Sequence, residues 1–317
     1  MKVIDHINGS KDTIFSFEIL PPLKGQNIQN IYDNIDPLMD FNPPFVNVTY
    51  HREEAVYKRL ENGLLEQKVI KKRPGTVGIC AALQHKYKID AVPHILCGGF
   101  NQEDTENALI DLDFLGIENV LALRGDSVKG EVYFQPELNG HKYAHELVGQ
   151  INAMNKGKYL DEELQNNTPT NFSIGVAGYP EKHFEAPSIN NDIEHLKKKV
   201  DAGADYIVTQ LFFDNNKYFE YVEKCRAAGI TIPIIPGIKP IASKKHLSIL
   251  PHRFHVDLPD DLVKEVLTCK DNKQVRQVGV EWAIEQCKEL KAANVPVLHF
   301  YSMGKVDNIQ KIAKEIF

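Results

Sequence analysis

The chain has 317 residues, 43% hydrophobic and 25% charged, with 20 Gly and 17 Pro, which excludes collagen-like, coiled-coil and disordered architectures. A formal net charge of -6 gives no general attraction to phosphodiester backbones. The short basic runs Lys71-Lys72-Arg73 and Lys197-Lys198-Lys199 read as solvated helix ends, so no nucleic-acid partner is expected. No stretch reaches the ~18 apolar residues of a membrane span, and the start, Met1 to His6, lacks the apolar core of a secretion signal. Five cysteines without C-x-x-C spacing suggest neither a disulfide framework nor a zinc knuckle. The expectation is a cytoplasmic chain with reduced thiols, no membrane partner and no metal.

In chain order, strand-like runs fall at 14–19, 45–50, 92–97, 120–124, 172–177, 206–211, 232–238 and 295–301, each β-branched or aromatic. Helix-like segments alternate with them near 27–39, 53–70, 102–115, 142–155, 189–202, 216–228, 259–292 and 305–316. Asn101-Gln102-Glu103-Asp104 opens its helix with a capping residue and first-turn acids, while Gly203 and Gly229 stand where helices end. Eight units of about 40 residues suit a (β/α)8 barrel. The surplus lies in 71–91, 127–141 and 155–171. The last two, rich in Gly, Asn, Lys and Pro, read as loop insertions; the first contains Val77 to Leu83, an extra strand or a short irregular segment. A doubly wound open sheet shows the same alternation, but eight beats without a composition break favour closure. The expected fold is α/β, a single (β/α)8 TIM barrel with loop insertions, one domain over 1–317.

Chemistry in such barrels sits at the C-terminal ends of the strands. Those ends carry Glu18, Thr49, Tyr50, His94, Arg124, Asp126, Tyr179, Gln210, Lys239 and Tyr301, a hydrogen-bonding set that suits a ligand-binding mouth. Glu18 lies among Phe15, Phe17, Ile19 and Leu20. Apolar surroundings raise a carboxyl pKa and suit it to donating a proton, although a strand-end surface glutamate would look the same. Gly125 lets the backbone near Arg124 and Asp126 approach a ligand closely. Tyr179 and His183 offer a flat ring and an imidazole, or a turn around a packed tyrosine.

Several chemistries find no support. There is no G-x-G-x-x-G, no phosphate-binding P-loop and no G-x-S-x-G elbow. His141 and His145 share a helix face beside Glu146 without a third metal ligand, and His252 with His255 fares no better. Lys239 is a conceivable Schiff-base lysine, but no activating partner is evident.

The strings FEILPP (17–22), VTY (48–50), PH (93–94), ALRGD (122–126), YPEKH (179–183), KVDAGA (199–204) with TQLFFD (209–214), PGIKP (236–240) and HFY (299–301) occur in order. Together they resemble the bacterial methylenetetrahydrofolate reductases from about residue 10 to the C-terminus. The resemblance implies non-covalent FAD, a hydride taken from NADH or NADPH, and its transfer to 5,10-methylenetetrahydrofolate to give 5-methyltetrahydrofolate. It implies Glu18 as the acid protonating folate N10, Asp126 between flavin and folate, and Gln210, Tyr301 and Lys305 as folate contacts. For FAD it implies Thr49, Tyr50, His94, Arg124, Gly125, Asp126, Tyr143, Ala144, Ala177, Tyr179, His183, Asp192, Lys198 and Lys199. Homo-oligomers are common in the family, and the S-adenosylmethionine-binding domain of the larger eukaryotic enzymes is not expected here.

The sequence departs from the family pattern at His51-Arg52, where small residues are usual, and at His195, where Asn is expected. Lys198 and Lys305 stand in place of arginines, and Leu250 in place of an aromatic lid residue. Lysine lacks the bidentate fork of arginine. The segment 127–139 is longer than expected and is placed to cover the mouth. A flavin barrel indifferent to folate, a folate- or flavin-binding protein without turnover, and a non-redox pterin methyltransferase barrel are the rival readings, with Glu18, Asp126 and Tyr179 as the discriminators.

Overall fold

The computed structural model describes residues 1–128, 131, 133–304 and 306–317. Helix α1 (Val3–Gly9) precedes strand β1 (Ile14–Ile19); α2 (Gln29–Ile35) runs into a 3-10 turn (Asp36–Phe41) before β2 (Phe45–Val48). A hairpin, β3 (Glu54–Arg59) and β4 (Leu65–Ile70), is followed by α3 (Thr76–Tyr87), β5 (Asp90–Leu96), α4 (Gln102–Phe114), β6 (Asn119–Leu123) and α5 (Ala144–Met154). Then come β7 (Ser173–Gly178), α6 (Ile189–Asp201), β8 (Tyr206–Leu211), α7 (Asn215–Ala227) and β9 (Ile234–Ile238). Helices α8 (His246–Phe254), α9 (Asp260–Thr268) and α10 (Asn272–Ala292) lead to β10 (Val297–Tyr301) and α11 (Asp307–Ile316).

Eight strands close into a parallel barrel in the order β1-β2-β5-β6-β7-β8-β9-β10, with β10 returning to β1. This is the expected (β/α)8 barrel. Because side chains alternate across a strand, each strand serves two cores. Phe15, Phe17, Val46, Ile95, Val176, Ile207 and Phe300 face the surrounding helices in the large outer core. Ile14, Phe45, Val92, Leu121, Tyr206, Val208, Ile235 and Val297 pack with Val3 of α1 in a smaller cluster inside the barrel. Fully burying each such side chain is worth roughly 1.5–3 kcal/mol, and both faces of the barrel strands contribute.

Helix α1, which lies outside the eight beats of the sequence, plugs the N-terminal end. Its Val3 N–H donates to Asn119 Oδ1 at 2.7 Å, and the terminal amine and His6 both hold Asp90, at 2.8 and 2.7 Å. Helix α1 thus covers the N-terminal end of the barrel, with Val3 packed into the inner cluster.

Residues 53–70 are not the expected helix. They form the β3–β4 ribbon, paired from Glu54↔Ile70 to Arg59↔Leu65, and the reason is the turn. Asn62-Gly63 is a strong hairpin signal; Gly63 adopts φ +83°, and Leu60 N–H closes the loop on Leu64 O at 2.8 Å. The helix of this unit is α3, inside the segment left open between strand and irregular structure. Thr76, Ile79, Cys80 and Leu83 are its buried positions, a helical spacing. The expected helix 259–292 is broken in two, because Asp271 caps α10 by accepting from the N–H groups of Lys273 and Gln274, both at 2.9 Å. Among the described residues, the insertions 127–141 and 155–171 contain no helix or strand, as expected.

Among the described residues no helix is long and apolar enough to cross a membrane. All five cysteines are buried and unpaired.

Helix α10 lies on the segment after β9 so closely that a Cβ at Gly279 would stand 2.0 Å from Ile241 O. In an open helix interior, Gly→Ala gains about 1 kcal/mol. Here the sign should reverse: Gly279→Ala is expected to destabilise by about 1–3 kcal/mol. The check is a urea titration in which the midpoint falls while the m-value stays constant.

Candidate active site

Glu18 occupies the last inward-facing turn of β1, where the register sets it against Asn47 of β2 on one side and Tyr301 of β10 on the other. Its side chain is 16% exposed, and its Oε2 lies 3.5 Å from His94 Nε2 of β5. Below it the barrel interior is polar but uncharged. Asn47 Nδ2 meets His94 Nε2 at 3.5 Å, and Ser16 Oγ meets His299 Nδ1 at 2.8 Å. Burial pushes both imidazoles down to about 3, with the other's charge adding to the effect on His94. Both are therefore neutral at physiological pH, and neither offers Glu18 a cation. Burial in turn pushes the Glu18 carboxyl up to about 8, against the pull of Lys239. Sequence reasoning named His94 but missed the rest of this layer, although the signal is present: Ser16, Asn47 and His299 interrupt apolar strands at the alternate positions that point inward.

Lys239 follows β9 and is 8% exposed. Burial lowers its ammonium to about 8, with Glu18 pulling it back up. Between these two groups stands Tyr301, whose hydroxyl donates to Thr209 O at 2.6 Å. To reach β8 from β10 its ring must cross β9, and Gly237 provides the passage. A Cβ there would sit 2.5 Å from the ring and 2.4 Å from Thr209 O. Gln210 lies in an irregularity of β8 between Val208 and Leu211, and its Oε1 accepts from the Leu211 N–H at 2.9 Å.

A second group gathers at the ends of β6 and β7 and on α6. Arg124 makes a two-pronged ion pair with Glu185, at 2.5 and 2.8 Å, geometry suited to a guanidinium; sequence reasoning did not single out Glu185. Gly125 takes φ +83° and packs against Leu96, turning the chain from Arg124 to Asp126. Arg52 donates to Asp126 O at 2.6 Å. Tyr179 and His183 meet edge to face, 4.7 Å between ring centres. The His183 N–H donates to Asp192 Oδ2 at 3.0 Å, and Lys199 Nζ donates to Ala177 O at 2.6 Å. Burial lowers Lys199 to about 8, and burial with the nearby Arg124 lowers His183 to about 4. Burial also raises Asp192.

The remaining predicted residues lie around the rim. Thr49 Oγ1 donates to Ile19 O at 3.3 Å. Tyr50 stacks obliquely on Phe100, 4.9 Å between centres, and its hydroxyl accepts from Lys71 Nζ at 3.1 Å. Tyr143 and Ala144 begin α5, where Tyr143 is stacked on His145 at 5.6 Å. Lys198 is in the last turn of α6, and Lys305 lies outside the described residues. Thus Glu18, His94 and Tyr301 form one cluster, and Arg124, Gly125, Asp126, Ala177, Tyr179, His183, Asp192 and Lys199 form another. Leu250 packs into an apolar cluster under the loop after β9. Among the described residues, no three His, Cys, Asp or Glu are grouped to hold a metal ion.

Fold and site together define a (β/α)8 barrel with a buried acid in its throat and a cationic, aromatic group beside it. The family model described as methylenetetrahydrofolate reductase matches residues 2–316, and the chain belongs to that family. It is 35% identical to methylenetetrahydrofolate reductase 1 of Schizosaccharomyces pombe, covering 100% of this chain and 48% of that protein. It is 31% identical to the 5,10-methylenetetrahydrofolate reductase of Escherichia coli K12, covering 92% of this chain and 86% of that one. The chain spans about half the length of its fungal and plant relatives. In fold it is similar to a Clostridium thermocellum protein that binds two copies of 5-methyl-5,6,7,8-tetrahydrofolic acid, with a TM-score of 0.57, 12% identity and 98% and 96% of the two chains covered.

The Tyr301 crossing is expected to be a local stabilising bond. Tyr301→Phe keeps the ring over Gly237 and leaves Thr209 O without its donor, so it should cost about 1 kcal/mol, read as a lower thermal midpoint with an unchanged circular dichroism spectrum.

Proposed function

We propose that this chain reduces 5,10-methylenetetrahydrofolate to 5-methyltetrahydrofolate, with NADH or NADPH as electron donor, non-covalently bound FAD as carrier and Glu18 as general acid. The observation that carries this reading is the buried Glu18 carboxyl at the mouth of a barrel of this family. Relatives in plants and in Caenorhabditis elegans carry names specifying NADH and NADPH respectively, so either donor suits the reading.

The residues at the mouth fit a flavin dinucleotide by their chemistry. Arg124, Lys198 and Lys199 supply positive charge around the ends of β6 and α6 for a diphosphate. Tyr143, Tyr179 and His183 supply flat rings for stacking, and Asp192 is already fastened to the His183 backbone. Thr49, Tyr50, His94, Gly125, Asp126, Ala177 and Ala144 complete the lining. When bound, FAD supplies hydride acceptance from the reduced nicotinamide and hydride donation to the folate, in two half-reactions that use one site in turn.

The chain's own task is proton management. Held near 8 by burial, Glu18 is protonated at neutral pH. Its O–H bond breaks as an N–H bond forms at folate N10, and the C–N10 bond opens to leave an electrophilic iminium carbon. Asp126 contributes negative charge where that positive charge develops. Gln210, Tyr301 and Lys305 hold the folate.

Folate reduction needs the acid form of Glu18, so its rate should be level below neutral pH and fall as pH rises through about 8. Flavin reduction by NADH should lack that limb. The Glu18→Gln variant should hold flavin and bleach with NADH, while folate reduction drops about 10²–10⁴-fold. Equal loss of both half-reactions would remove Glu18 from the role. The first observation is the visible spectrum of the purified protein before and after anaerobic NADH. Flavin bands that bleach support the reading, and a protein that stays colourless after incubation with FAD overturns it.

A further inference from the structure

Lys239 is the charged side chain of the mouth that the proposed reaction leaves unused. It is 8% exposed, and among the described residues its Nζ has neither a hydrogen bond nor an ion pair. A buried ammonium without an acceptor is costly, so its surroundings should contain the anion that it serves. The ladders show where that anion is. Ile238 pairs with Phe300, and Glu18 pairs with Tyr301. One step beyond Ile238, Lys239 is therefore level with Tyr301 and Glu18 across three neighbouring strands. The electrostatics are mutual: the Lys239 ammonium favours ionised Glu18, and the Glu18 carboxylate favours charged Lys239.

The other groups facing this pair do not compete with it. From β5, His94 is neutral, and so is His299 of β10, both because of burial. The Tyr301 phenol, also from β10, is held far above its usual range by burial and by Glu18, and it is committed to Thr209 O. From the segment after β2, burial lowers His51, and Arg73, Glu54 and Arg253 also act on it. From α8, His246 is lowered by burial and by Lys239 itself, and its Nδ1 accepts from the Ala242 N–H at 3.2 Å. Tyr179 of the loop after β7 bears on Tyr301, and burial keeps its phenol protonated.

We propose that Lys239 is a positioning residue for the acid: level with Glu18 on the far side of Tyr301, its ammonium is the counter-charge for the Glu18 carboxylate left behind when the proton moves to the folate nitrogen. The balance is simple. The Glu18 O–H bond breaks, its electron pair stays on the carboxylate, the proton forms the N–H bond of the substrate, and Lys239 keeps all three of its protons. The identity of the proton acceptor rests on the function proposed above; the pairing of Glu18 with Lys239 does not.

The test is an infrared difference titration of the purified protein, with the Glu18 carboxyl band assigned by its loss in Glu18→Gln. In Lys239→Met the Glu18 carboxyl should stay protonated to a pH higher by about one unit or more, and Lys239→Arg should restore most of the difference. The alkaline limb of folate reduction should move upward by the same amount, with flavin reduction by NADH unchanged. A Glu18 midpoint that is the same in folded Lys239→Met and the parent protein overturns the proposal. So does an equal effect of the substitution on both half-reactions. If Lys239→Met fails to fold, Lys239→Gln supplies the same comparison. A protein whose Glu18 titration depends on Lys239, yet which does not reduce methylenetetrahydrofolate, would support the pair and overturn the folate reading.

Discussion

A carboxyl held out of water is the constraint around which the upper half of this barrel is arranged. The cost of ionising Glu18 comes from its burial and from what surrounds it. The side chains beneath it, Asn47, His94, His299 and Ser16, are polar enough to be hydrogen-bonded and too deeply buried to be charged. A charged imidazole in that layer would pull the carboxyl back to its ordinary range and leave no proton to donate at neutral pH. The covered floor contributes as well. Val3 of α1 packs with Ile14, Phe45 and Val297 in the apolar cluster below the layer, which adds to its burial.

The barrel separates two electrostatic tasks in space. Among the described residues, the β1, β5, β9 and β10 side of the mouth has the acid Glu18 and the buried cation Lys239, with neutral groups between them. The β6, β7 and α6 side has Arg124 and Lys199, balanced by Glu185 and Asp192. On the proposed function, a diphosphate would belong with the second set and the folate nitrogen that takes the proton with the first. Placing the cations of the second set beside Glu18 would favour its ionised form and remove the acid. The distance around the barrel rim therefore has a chemical function, because opposite protonation demands are met within one cavity.

Much of this was legible from the residues, for a physical reason. Strands of a barrel repeat one period, so eight β-branched runs with longer segments between them predict both the closure and the side that holds the chemistry. The ends at Glu18, Arg124, Asp126, Tyr179 and Tyr301 could be read directly. Local turn chemistry was harder to weigh. The span 53–70 has charges and apolar residues that suit a helix, and only Asn62-Gly63 betrays the hairpin. Contacts between distant strands were not legible at all. Neither the pairing of Glu185 with Arg124, 61 positions apart, nor the packing of His299 on Ser16, 283 apart, leaves a trace in local sequence. Lys239 shows both limits. Its strand-end position was evident, but its neighbour across the barrel depends on the register of three strands.

The place of Tyr301 between Glu18 and Lys239 depends in turn on an absent side chain. Tyr301 lies across β9 to reach Thr209 O, and any Cβ at Gly237 would overlap both. Tyr301 stands between Glu18 and Lys239, so displacing it would open the space between them to water. Hydration would ionise both groups independently, and the acid would lose its raised pKa and its dependence on the lysine together. A glycine with no chemistry of its own thus makes room for the side chain that stands between the acid and the lysine, and the less water reaches these groups, the stronger the interaction between them.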